Sequence, residues 1–62
     1  MPIITLEGPK ITDRDRKRAL VRQVTLAAAT AYGMPEEKII VLLRETAPDN
    51  VGVGGVLVSD RR

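Results

Sequence analysis

Five consecutive apolar residues, Ile39-Ile40-Val41-Leu42-Leu43, lie in a chain that offers one helix to cover them. A run with no polar alternation reads as a strand buried on both faces. Upstream, Ile3-Ile4-Thr5-Leu6 is a second apolar and β-branched stretch, closed by Gly8 and Pro9, and it also reads as a strand. Between them no Gly or Pro interrupts residues 13–32, and Gly33 followed by Pro35 is a stop signal. Thr12 or Asp13 offers an N-cap, and Asp15 puts a negative charge in the first turn. A helix over residues 13–32 is therefore expected, with Leu20, Val24, Ala27, Ala28 and Ala31 as its apolar positions at three- and four-residue spacing.

Strand, helix and strand form a right-handed βαβ unit with parallel strands. The Pro35–Lys38 segment reads as a turn or one loop of 3₁₀ helix, and Pro48-Asp49-Asn50 as a loop. Gly52, Gly54 and Gly55 supply the backbone of a bulge or tight turn before a short final strand, Val56-Leu57-Val58. The fold class is α/β (α+β), a single β-α-β unit with a C-terminal β-hairpin, forming one domain over residues 1–62. A single helix covers only one face of such a sheet, so the other face must meet a second copy. With 62 residues and no cysteine to staple them, the core is marginal on its own. A homo-oligomer is the expected way to complete it, with the glycine-rich hairpin pairing with a neighbour's sheet edge.

The chemistry available is narrow. There is no histidine and no cysteine, and Ser59 is the single serine, which excludes Ser-His-Asp and Cys-His catalysis and the common zinc patterns. The acidic residues are scattered, so no metal and no cofactor is expected. Gly52-Val53-Gly54-Gly55 is a turn and not a phosphate loop, because no Lys-Ser/Thr follows it. Tyr32 is the only aromatic residue, too little for stacking single-stranded bases. The basic run Arg14, Arg16, Lys17 and Arg18 reads as a solvated helix end. A ribbon-type DNA-binding dimer would need a second helix where Ile39–Leu43 stands, so no nucleic-acid partner is expected. The net charge of +2 would steer a small anionic metabolite as well as it would nucleic acid. No apolar run is long enough to span a membrane and no signal peptide is evident, so a cytoplasmic protein is expected.

What remains is Pro2. It follows Met1 directly and is small enough for methionine removal to be expected, which leaves a secondary amine at the head of the first strand. An α-amino group ordinarily titrates at about pH 7.7–8.0, slightly above neutrality. Burial and nearby positive charge favour its neutral form, and a neutral prolyl nitrogen in an apolar pocket is a competent general base for moving a proton between carbon atoms. While Met1 is attached, the same nitrogen is a tertiary amide with no basic lone pair.

Nearly the whole chain resembles the 4-oxalocrotonate tautomerase family. The resemblance rests on Pro2-Ile3, Leu20-Val21-Arg22-Gln23-Val24, Ile40-Val41-Leu42-Leu43 with Glu45, Gly52-Val53-Gly54-Gly55 and the closing Arg61-Arg62. It implies a hexamer whose N-terminal proline shuttles a proton in a small enolisable 2-hydroxydienoate or 2-keto acid. It also implies two arginines and one aromatic residue, and this sequence departs from the pattern at all three. The arginine that precedes the helix falls on Thr12, the central-strand arginine on Ile40, and the aromatic on Val51. Lys10, two residues before Thr12, and Arg44, of the same strand parity as Ile40, are the available stand-ins for binding an anionic carbonyl acid. The alternative is a catalytically divergent oligomeric scaffold of the same fold.

Overall fold

The computed structural model describes residues 1–61; Arg62, the second half of the closing Arg61-Arg62 pair, lies outside the described residues. Strand β1 runs Ile3–Gly8, helix α1 Arg14–Tyr32 and strand β2 Ile40–Glu45, followed by strands β3 Gly52–Val53 and β4 Val56–Leu57. Single 3₁₀ turns occupy Glu36–Lys38, Pro48–Asn50 and Val58–Asp60. β1 and β2 pair in parallel, with Ile3 opposite Ile40 and Gly8 opposite Glu45. β3 and β4 form an antiparallel hairpin.

Helix α1 forms where its end signals place it. Asp13, and not Thr12, is the N-cap, its Oδ1 accepting from the Asp15 N–H at 2.9 Å and the Arg16 N–H at 3.4 Å. Gly33 ends the helix at φ 64°. Its N–H donates to the Thr30 carbonyl and the Met34 N–H to the Ala29 carbonyl, the six-to-one closure that requires a left-handed residue. Half-buried Lys17, Leu20, Val21, Val24, Thr25 and Ala29, with buried Ala28, form the stripe that meets the sheet. Ala27 and Ala31, expected on that stripe, are exposed. A two-stranded sheet is too narrow to reach them.

The strands depart from the hydropathy reading in one informative way. β1 continues through Glu7 and Gly8, and β2 through Arg44 and Glu45, while Ile39 closes the preceding 3₁₀ turn with its N–H on the Glu36 carbonyl. The ladder extends as far as each strand has a partner, whatever the side chains. Val58, expected to end the last strand, starts a 3₁₀ turn, although its N–H still reaches the Val51 carbonyl at 2.7 Å. At the hairpin tip Gly54 and Gly55 both have positive φ, 61° and 84°, as a two-residue primed turn demands.

Burial shows what one chain leaves unfinished. Ile4, Leu6, Val41 and Leu43 are half-buried beneath the helix. On the opposite face Ile3 is 53% exposed and Leu42 44%, and only Ala28 in the described chain is buried. Strand alternation puts Ile3, Thr5, Glu7, Ile40, Leu42 and Arg44 together on this open face. No helix among the described residues is long and apolar enough to cross a membrane, and there is no second α-helix among them for a ribbon-type DNA-binding fold.

Candidate active site

Pro2 stands immediately before β1, half-buried, and its carbonyl accepts the Ile40 N–H at 3.1 Å. That bond begins the ladder and fixes the proline against the start of β2. Ile40 is the register partner of Ile3, so the strand pair that Pro2 heads begins with two isoleucines. Pro2 and Ile40 are thus brought together within a single chain.

The other candidates lie at the far end of the sheet. Arg44 is exposed in β2 opposite Glu7, on the open face it shares with Ile40. Lys10 and Thr12 are exposed in the loop between β1 and α1. Val51 is half-buried and lines a cavity of about 580 Å³ together with Glu7, Gly8, Thr46, Asn50 and Val58. Six residue steps separate Pro2 from Gly8, about 20 Å at strand rise. A lysine side chain does not bridge that distance. Pro2 and the Lys10 amine therefore cannot hold one small molecule within the same chain, and a shared site needs two copies.

One acidic side chain that the sequence did not single out as a site residue organises this far end. Glu45 Oε2 accepts the Ile11 N–H at 2.8 Å, and Oε1 accepts from Lys17 Nζ at 3.0 Å. These contacts hold the Glu45 carboxyl below its ordinary value, first through the Ile11 N–H and then through Lys17, with a smaller contribution from Lys10. Lys17 is consequently not part of a solvated helix end; Arg14, Arg16 and Arg18 are exposed, and Arg18 pairs with Asp15 at 3.1 Å. The only signal in the sequence is parity, since a residue after Arg44 in β2 faces the helix. Its partners lie 34 and 28 residues away.

A family model described as tautomerase enzyme matches residues 2–61 of the chain. A probable tautomerase of Halalkalibacterium halodurans is 41% identical over 61 residues, covering 98% of this chain and all of that one. Among solved structures, DmpI from Archaeoglobus fulgidus is 42% identical with a TM-score of 0.86, covering 95% of this chain and 100% of its own. A heterohexameric 4-oxalocrotonate tautomerase from Chloroflexus aurantiacus is 28% identical with a TM-score of 0.74, over 98% of this chain and 95% of its own.

Proposed function

The chain belongs to the tautomerase enzyme family, and on that premise we propose that Pro2, freed of Met1, is the general base of a proline-dependent tautomerase. The observation that carries this reading is the placement of Pro2, at the head of β1 and tied to β2 through the Ile40 N–H. A secondary amine held there is oriented, and the half-burial of Pro2 partly desolvates it, which favours the neutral form that accepts a proton. The substrate is a small enolisable acid, a 2-hydroxydienoate or a 2-keto acid. From the enol the amine takes the hydroxyl proton, the electron pair moves through the conjugated system, and the proton returns to carbon; from the keto acid the same proton is taken from the carbon beside the carbonyl and returned to oxygen. Atoms balance without a co-reactant, so no cofactor enters.

The carboxylates of such a substrate need cations. Lys10 and Arg44 fill that role, with Thr12 as a neutral hydrogen-bonding neighbour and Val51 as apolar wall. All of them lie at the end of the sheet away from Pro2, so in this reading they come from a copy other than the one that supplies it, the span to the Lys10 loop being about 20 Å along the strand. The chain accordingly self-associates through its open sheet face, and the hexamer is the assembly we propose. The exposure of Ile3 and Leu42 supports it, as does the hexameric state of the Chloroflexus aurantiacus relative.

The test is ketonisation of 2-hydroxymuconate or phenylenolpyruvate by methionine-free protein, followed by absorbance. Replacing Pro2→Ala should lower the rate by about 10²–10⁴-fold, the usual contribution of a positioned base. Wild-type turnover no faster than that of the variant would remove the reading. A native N-terminal mass that retains methionine would leave the chain as an oligomeric scaffold instead.

A further inference from the structure

Beyond Pro2 and the proposed cations, the end of β2 is held by a second set of contacts. The segment from Gly8 to Ile11 carries Lys10 and is fastened at both ends to consecutive residues of that region. The Gly8 carbonyl accepts the Thr46 N–H at 2.8 Å, and the Ile11 N–H donates to Glu45 Oε2 at 2.8 Å. Beneath the segment is a cavity of about 150 Å³ lined by Leu6, Pro9, Ile11, Leu20 and Leu43. Ile11 is half-buried at this cavity, and the two hydrogen bonds fix the path of the loop on either side of Lys10. Lys17 Nζ lies 3.0 Å from both Glu45 oxygens, which holds the carboxylate in place for the Ile11 N–H. Arg44 precedes Glu45 in the strand, so its guanidinium projects to the open face while the Glu45 carboxylate turns toward the helix.

We infer that Glu45 is a positioning residue, which fixes the Lys10 amine relative to Arg44 and so sets the grip on a substrate with two carboxylates. This deepens the proposed function and rests on its reading of Lys10 and Arg44 as the substrate's cations. A tethered loop holds its lysine in one region, whereas a free loop spreads it over many, and ordering it again weakens binding. A substrate with one carboxylate engages one cation and depends less on the spacing between two.

Methionine-free wild type, Glu45→Ala and Glu45→Gln are compared on 2-hydroxymuconate, which has two carboxylates, and phenylenolpyruvate, which has one. Glu45→Ala should raise KM for 2-hydroxymuconate about tenfold, the equivalent of one charge-assisted bond. Its kcat should stay within about twofold and its KM for phenylenolpyruvate within about threefold, because neither involves the two-cation spacing. Glu45→Gln keeps an acceptor for the Ile11 N–H and should recover most of the affinity. Amide hydrogen exchange at Ile11 should quicken in Glu45→Ala and not in Glu45→Gln. Equal losses on both substrates, a loss confined to kcat, or unchanged Ile11 exchange would overturn the inference. Failure of the Pro2 reading is recognised separately, by wild type turning over no faster than Pro2→Ala. Calorimetric binding of 2-hydroxymuconate then decides the matter, with equal Kd for wild type and Glu45→Ala overturning it and about tenfold weakening supporting it.

Discussion

At the N-terminus the chemistry turns on one bond. Attached to Met1, the Pro2 nitrogen is an amide whose lone pair is delocalised; released, it is a secondary amine able to take and return a proton. That much is legible in the sequence, because it depends on two adjacent residues and on nothing across the fold. Glu45 is the opposite case. Its role comes from the Ile11 amide and the Lys17 amine, 34 and 28 residues away, and no local pattern announces such a pairing. It also has a pH signature. Since the folded carboxyl is held below the ordinary value of 4.5, its stabilising contribution is complete above that value and is lost as the pH falls through the lower folded one. The groups facing it are the Ile11 amide, Lys17 and, more remotely, Lys10. Denaturation of wild type and Glu45→Gln at fixed protein concentration should give a stability gap that is constant from neutral pH down to about 5 and closes in more acidic solution. A gap that widens on acidification would contradict this.

Among the elements, α1 was the most readable, because its two ends are specified by local chemistry. Asp13 caps the first turn with its side chain, and Gly33 takes the left-handed conformation that closes the last. No neighbouring atom would obstruct a side chain at Gly33, so the cost of replacing it is conformational alone. Gly33→Ala should destabilise the protein by about 1 kcal/mol, with Gly33→Asn losing less because asparagine tolerates that region better. Denaturant unfolding at a common protein concentration measures both, and equal stability of all three proteins would refute the argument. The strands were less readable at their ends. Hydropathy points to 39–43, yet β2 spans Ile40–Glu45 because β1 extends to Gly8 and offers Arg44 and Glu45 a partner. Ladder length belongs to the pair, and a single strand's sequence does not contain it. The same holds for Ala27 and Ala31, apolar by residue type but outside the width of sheet that α1 covers.

Taken whole, one chain is a thin layered plate of 43 × 25 × 14 Å with a radius of gyration of 14.7 Å. A self-contained domain of this length would measure about 10.6 Å. The expectation that one helix cannot cover this sheet is met by the exposed Ile3 and Leu42, and it follows from counting faces. The composition of the site was less visible from sequence. Thr12, Ile40, Val51, Lys10 and Arg44 could be named one by one, but their division between the two ends of the sheet appears only once the strands are laid out. That division makes the central claim testable by subunit mixing. Pro2→Ala chains are combined with chains carrying both Lys10→Ala and Arg44→Ala, the mixture is dissociated and reassembled, and ketonisation of 2-hydroxymuconate is measured. If base and cations come from different copies, the mixture contains some intact sites, and its activity rises well above that of either parent. If each site were built within one chain, every site would carry a defect, and a mixture no more active than its parents would contradict the account.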